Sequence, residues 1–372
     1  MTRYLGLMSG TSMDAVDAAL VDIGQTGRVR LDHYAESPYP RQLAEDLHAA
    51  RRRAESLPLA ELYRLDLRVA EAFADCALAL LHGAGVQPAA VRAIGSHGQT
   101  LYHHPHPMAR FTVQVGDPNV IAARTGIATV ADLRRMDMAV GGEGAPLAPA
   151  FHAHALRHPT CARAIVNIGG IANATLLQAG SEAVIGFDTG PGNALMDDWT
   201  RLHRGTAYDV DGTWARSGAP YPDLLAALLG DPYFTRPPPK STGREYFNAT
   251  WLAGYVDAMP VPPDPARVQS TLLQLTAQTI ARAIAEGAPG TEEVYVCGGG
   301  AYNRALMEAL TGAMPGLTVA TTAKLGIAPN AVEAVTFAWL AHRRIQGQAG
   351  NLPTVTGAAR PAVLGGLYLP PP

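Results

Sequence analysis

The stretch Leu5-Gly6-Leu7-Met8-Ser9-Gly10-Thr11-Ser12-Met13-Asp14-Ala15-Val16-Asp17 constrains the fold more than any other part of this chain. Residues 4–8 are mostly apolar, and residues 9–14 are turn formers and hydrogen-bonding groups. Residues 16–23 resume an alternating pattern, broken by Asp17 and Asp22. The spacing predicts a strand, a tight polar turn and a second strand. A turn rich in backbone N–H donors and hydroxyls can wrap an anion. Asp14 and Asp17 are near enough to hold a cation that accompanies it. A plain solvent-exposed hairpin accounts for the same residues.

The pattern returns later. Residues 163–167 read as an apolar strand, Ile168-Gly169-Gly170-Ile171-Ala172-Asn173 as a glycine turn, and 174–178 as a further strand. Two such hairpins suggest an internal duplication with a ligand between the halves. The length of 372 residues fits two domains. They are expected at 1–155 and 160–350, with the tail 354–372 packed back on the first.

Several predicted strands end in polar clusters. Residues 91–94 run into Gly95-Ser96-His97-Gly98-Gln99-Thr100, 111–115 into Gly116-Asp117, and 127–130 into Ala131-Asp132-Leu133-Arg134. In α/β sheets, ligands collect at the carboxyl ends of strands. The strand 184–187 ends in Asp188-Thr189-Gly190-Pro191-Gly192-Asn193, before a helix over 194–203 with Leu195, Met196, Trp199 and Leu202 inward. Asp188 suits a helix N-cap. The glycines and proline already build that turn, which leaves its carboxylate available for chemistry. The strand 293–296 runs into Cys297-Gly298-Gly299-Gly300-Ala301-Tyr302-Asn303 and a helix over 304–313, a geometry that lets a ligand approach the backbone. It matches neither the dinucleotide fingerprint nor a P-loop.

Other features have plainer readings. Residues 59–81 form an amphipathic helix with Leu62, Leu65, Val69, Phe73, Cys76 and Leu80 on one face. Arg51-Arg52-Arg53 reads as a solvated helix face, because the net charge of −3 gives no general attraction to nucleic acid. His103, His104 and His106 lie between prolines in an expected exposed loop without suitably spaced partner ligands for zinc. Lys240 and Arg244 fall in a proline-rich connector that offers an anion-binding role. Glu333 sits in the first turn of a helix over 330–343, where the helix dipole favours an acid. Cys76, Cys161 and Cys297 are odd in number and widely spaced, as in a reduced cytoplasmic chain. No signal peptide and no membrane-spanning run is expected.

The three glycine-bearing turns, in this order, resemble the actin, Hsp70 and sugar kinase superfamily. In more detail the chain resembles the anhydro-N-acetylmuramic acid kinase family. The matching residues are 6–14, Ser96-His97-Gly98-Gln99-Thr100, 167–173, Phe187-Asp188-Thr189-Gly190-Pro191-Gly192-Asn193 and Cys297-Gly298-Gly299-Gly300. The chain departs from the pattern at Ala15, where the family usually has Gly. If that position needs a positive φ, alanine there costs roughly 1–2 kcal/mol.

The resemblance implies an α/β fold of two duplicated actin-like, RNase H-like domains around a nucleotide and substrate cleft that closes on binding. It implies a cytoplasmic, homodimeric transferase of amino sugar metabolism and peptidoglycan recycling, with no nucleic-acid or membrane partner. The substrate is 1,6-anhydro-N-acetylmuramic acid, opened by water and phosphorylated on O6 by ATP with Mg²⁺. Asp188 would be the general base, with Glu333 assisting. Gly10, Thr11, Ser12, Met13, Asp14, Ala15, Val16 and Asp17 would contact the phosphates, with Asp14 near the metal. Asn167, Gly169, Gly170, Gly298, Gly299 and Gly300 would line the nucleotide site. His97, Gln99, Asp117, Asp132 and Arg134 would form the sugar pocket. Three alternatives stand beside this reading: a kinase of the same fold for a simple hexose, a glycosidase using Asp188 and Glu333 as its carboxylate pair, and an actin-like assembly protein.

Overall fold

The opening stretch forms β1 (Thr2–Met8) and β2 (Ala15–Ile23), antiparallel, with Leu5 opposite Leu20. The computed structural model describes residues 1–106 and 108–372, in two units: 1–155 with 331–372, and 156–330. The first unit continues with β3 (Val29–Pro38), β4 (Val91–Ser96), β5 (Gln99–His104), β6 (Phe111–Val115) and β7 (Thr129–Ala131). Its main sheet also takes in β13 (Gly366–Tyr368), and its strand order is β13-β7-β4-β1-β2-β3. The first three strands are antiparallel, while β4 and β7 run parallel to β1.

The second unit holds β8 (Arg163–Ile168), β9 (Ile171–Leu177), β10 (Val184–Pro191), β11 (Glu293–Cys297) and β12 (Thr318–Thr321) in the order β10-β9-β8-β11-β12. Again three antiparallel strands are extended by two parallel ones. The shared order, third-second-first-fourth-fifth, is that of the RNase H-like fold of actin-like domains. The duplication suggested by the two hairpins is therefore a duplication of whole sheets.

β1 is buried continuously from Tyr4 to Met8 because helices cover both faces of the sheet. On one face lies the helix Leu59–Gly83, whose Leu65, Val69 and Phe73 pack with Leu5 and Leu7. On the other lies the helix Val332–Ile345. Its approach depends on two glycines that are neighbours in register, Gly6 of β1 and Gly95 of β4. A Cβ on Gly6 would overlap the Ala334 carbonyl, and one on Gly95 the Phe337 carbonyl. This helix therefore packs in the first unit, whereas the sequence placed it within 160–350. Its first turn carries Glu333 to the carboxyl edge of the first sheet.

Other differences are local. His103 and His104 belong to β5, not to a loop, and His103 pairs with Thr112 of β6. Pro107, one of the flanking prolines, lies outside the described residues. Leu202 is 73% exposed, in the last turn of the helix Ala194–Arg204, where residues 201–208 all face solvent. The helices Ala148–Ala155 and Ala249–Val256 had no counterpart in the sequence reading. Among the described residues no helix is long and apolar enough to cross a membrane, and no group of three or more His, Cys, Asp or Glu is placed to hold a metal ion.

Candidate active site

In the first unit the parallel register places three strand ends side by side. Leu7 of β1 lies beside Ser96 of β4, and Gly95 beside Val130 of β7. The polar clusters after these strands therefore converge. His97 donates its amide to the Leu7 carbonyl at 2.9 Å. Gln99 is buried, and its side chain joins the opening turn, lying 2.7 Å from Ser9 Oγ and 3.1 Å from the Gly10 carbonyl.

Within that turn the Met13 amide donates to the Gly10 carbonyl at 3.3 Å, and Arg51 donates to the Thr11 carbonyl at 3.1 Å. Thr11, Ser12 and Asp14 are exposed, and Ser12 Oγ donates to Asp14 at 2.6 Å. The left-handed residue is Met13, at φ 55, and its side chain is fully buried in the core. Ala15 opens β2 beside Pro38 and is not among the positive-φ residues. The departure at Ala15 thus brings no backbone strain. Val16 is buried, and its carbonyl accepts from Cys76 Sγ at 3.5 Å.

Arg134 connects the second and third clusters. Its Nε donates to His97 Nε2 at 3.0 Å, and Nη1 donates to the Gly144 carbonyl at 2.8 Å. Arginine has only donors, so His97 Nε2 is the acceptor and the ring proton resides on Nδ1. Burial and the nearby guanidinium hold His97 well below its ordinary pKa, so it is neutral. Burial brings Arg134 down to about 10 against the opposing pull of Glu333 and Asp137, so it stays charged at neutral pH. Glu333 is raised by burial and drawn back by Arg134. Asp17 is pushed up to about 7, first by burial, against a hydrogen bond from Tyr34, with Glu36, Glu333 and Asp14 adding repulsion.

Asp132 pairs with Arg135, at 2.6 Å, and not with Arg134. Asp117 caps the helix Pro118–Thr125, accepting from the Asn119 amide at 2.8 Å. A cavity of about 270 Å³ in this unit is lined by His97 and Asp132 together with Asp66, Gln114, Arg135 and Tyr368.

In the second unit, Asn167 of β8 lies beside Cys297 of β11. The turns that follow those strands are therefore adjacent. Gly298 has φ +79, and a Cβ there would overlap Asn167 Oδ1. A Cβ on Gly300 would overlap the Ile168 side chain. Both positions need glycine for this close approach. The Gly298 amide donates to the Pro329 carbonyl at 3.0 Å, and Gly299 opens a short helical turn, Gly299–Tyr302. The Gly169 and Gly170 carbonyls accept from the Asn193 and Gly192 amides at 2.8 and 2.9 Å, which fastens this turn under the helix Ala194–Arg204.

Asp188 lies in β10 opposite Asn173, at a bulge. Its Oδ2 accepts from the Thr242 amide at 2.9 Å. Burial raises its carboxyl to about 6, the Thr242 hydrogen bond pulls it down, and Glu245 pushes it up. A half-buried carboxyl that titrates just below neutral is ionised at pH 7 and still basic enough to take a proton.

The anhydro-N-acetylmuramic acid kinase family model matches residues 2–370. The anhydro-N-acetylmuramic acid kinase of Chromobacterium violaceum is 49% identical over 370 residues, which are 98% of this chain and 98% of its own. That of Xanthomonas campestris pv. campestris is 48% identical over 367 residues, 98% of this chain and 97% of its own. That of Aliivibrio fischeri is 47% identical over 369 residues, 99% of each chain. The chain belongs to the anhydro-N-acetylmuramic acid kinase family.

In this anhydro-N-acetylmuramic acid kinase family member, two acids had not been singled out from the sequence, Asp137 in the first unit and Asp197 in the second. Asp137 is fully buried and accepts from Gly144 N, Asn351 Nδ2 and Thr356 Oγ1 at 2.8, 2.6 and 2.7 Å. It ties the tail to the loop whose Gly144 carbonyl holds Arg134. Asp197 is raised to about 7 by burial, against Arg244 and Arg201. Nothing local marks either acid: Asp137 takes two of its partners, Asn351 and Thr356, from the distant tail, and Asp197 reads as an ordinary helix-start acid.

Proposed function

We propose that the protein is an ATP-dependent anhydro-N-acetylmuramic acid kinase acting in cell-wall sugar recycling. Family membership across residues 2–370 carries this reading and outweighs the hexose-kinase, glycosidase and assembly-protein alternatives. In the proposed reaction, water attacks C1 of the 1,6-anhydro sugar and the C1–O bridge bond breaks. The oxygen left on C6 takes the γ-phosphoryl group of ATP. The products are N-acetylmuramic acid 6-phosphate, ADP and the proton lost by the water.

Asp188 takes that proton, and its elevated pKa supports the role. Arg134, held by His97 and Gly144, supplies fixed positive charge in the sugar pocket. His97 and Asp132 line the pocket with polar edges. Gln99 and Asp117 shape it through the turns they brace. Glu333 is the assisting carboxylate, placed by its helix. Residues 10–17 contact the phosphates through the backbone of the turn and its exposed Thr11, Ser12 and Asp14, while Met13 and Val16 anchor the turn in the core. Asn167, Gly169, Gly170 and Gly298 to Gly300 let the nucleotide approach the backbone. When bound, Mg²⁺ would supply neutralisation of charge on the phosphates. The exposed carboxylate of Asp14 is of the donor type this hard cation takes, directly or through water.

Turnover in ¹⁸O-labelled water, followed by mass spectrometry, tests the bond cleavage. The label is expected on C1 of the sugar product and not on the transferred phosphate. Label on phosphate would mean plain ATP hydrolysis and would contradict the mechanism.

A further inference from the structure

Asp188 lies in a strand, but its polar partners come from a distant segment. Its main-chain carbonyl accepts from the Tyr233 hydroxyl at 2.7 Å, and its amide donates to the Lys240 carbonyl at 3.1 Å. The carboxylate accepts from the Thr242 amide at 2.9 Å. Three bonds from residues 233–242 therefore fix both the backbone and the side chain of one acid.

That segment is closed on itself. Asp231 is 4% exposed and accepts from the Tyr233 amide at 2.8 Å, the Tyr246 hydroxyl at 2.9 Å and Trp251 Nε1 at 2.9 Å. One carboxylate thus ties the start of the segment to its end. Tyr233 and Phe247 are buried in the core and meet edge to face at 5.4 Å. Lys240 turns inward. Its Nζ lies 3.3 Å from the Tyr233 and Phe234 carbonyls and 4.9 Å from the Tyr233 ring centre. A lysine spent on these internal carbonyls braces the loop from within.

We infer that residues 231–251 form a clamp that positions Asp188, closed by Asp231 and applied through the Tyr233 hydroxyl and the Thr242 amide. Asp231, Tyr233 and Thr242 are positioning residues. The inference rests on the reading of Asp188 as the base only for its catalytic consequence. The geometry of the clamp is independent of it.

The test combines a ¹³C-carboxylate NMR titration of Asp188, assigned with Asp188→Asn, and the pH profile of kcat/KM for the anhydro sugar, both on the full chain. Thr242→Pro removes the N–H donor. The Asp188 midpoint and the acid limb are expected to rise together by about one pH unit, the value of one hydrogen bond to a charged group. Thr242→Ala keeps the amide and is expected to leave both in place. Tyr233→Phe keeps the buried ring and loses only the hydroxyl. It is expected to lower kcat about tenfold with KM for ATP unchanged, and it decides the matter if Thr242→Pro does not fold. A folded Thr242→Pro variant with the wild-type midpoint, or Tyr233→Phe with wild-type kcat, overturns the clamp. The NMR midpoint does not depend on turnover, so failure of the clamp is distinguishable from failure of the base assignment, which an active Asp188→Asn variant would reveal.

Discussion

Replacing Asp188 by asparagine is expected to leave ATP binding intact and to cut sugar-dependent turnover by about 10²–10⁴-fold, the usual contribution of a positioned general base. The substitution is nearly isosteric. A carboxamide oxygen still accepts from the Thr242 amide, and the Tyr233 and Lys240 bonds go to the main chain. What is lost is the capacity to take a proton. The pH profile gives an internal check. The acid must be ionised to act, and burial holds its carboxyl up at about 6. Activity is therefore present above that pH and falls about tenfold per unit below it. The wild-type protein should show this limb in kcat/KM for the sugar, and the variant should lack it. Nucleotide affinity by calorimetry and turnover by coupled assay suffice. Near-normal turnover would remove Asp188 from the chemistry.

The second large effect is structural. Gly95→Ala is expected to destabilise the first unit by about 3 kcal/mol, the upper end for overpacking. At about 2–4 °C per kcal/mol this is a fall in Tm of roughly 6–12 °C. The added methyl group meets the backbone carbonyl of Phe337, which cannot rotate away as a side-chain tip would. Either the helix Val332–Ile345 lifts from the sheet or β4 bends. Glu333 rides on that helix and Phe337 packs against the His97 ring at 4.7 Å, so the site is disturbed together with the core. Thermal unfolding followed by circular dichroism measures the effect. An unchanged Tm would mean that the close helix–sheet approach at Gly95 is not a requirement of the fold.

The parts of the fold that were legible in the sequence have local causes. Apolar runs broken by glycine and hydroxyl residues mark β1–β2 and β8–β9, and a 3.6-residue period marks the helix Leu59–Gly83. What was not legible depends on distant partners. Nothing within residues 332–345 says which sheet they cover, because the decision lies with Gly6 and Gly95, far away in the chain. Polar strand ends pointed to His97 and Arg134 separately, and only the parallel register of β1, β4 and β7 brings them together. At Ala15 the expected strain is absent because the hairpin takes its left-handed residue at Met13. The proline-rich stretch around Lys240 reads in the sequence as a connector that offers an anion-binding role. Its lysine in fact faces its own loop, and the loop holds the candidate base.

ADP release measured with ATP and Mg²⁺, in the presence and absence of purified 1,6-anhydro-N-acetylmuramic acid, tests the functional assignment most directly. The account predicts rapid ADP release only with the anhydro sugar, and far slower release with N-acetylmuramic acid or glucose. ADP release that ignores the sugar, a simple hexose that works better, or ring opening that proceeds without ATP would contradict it.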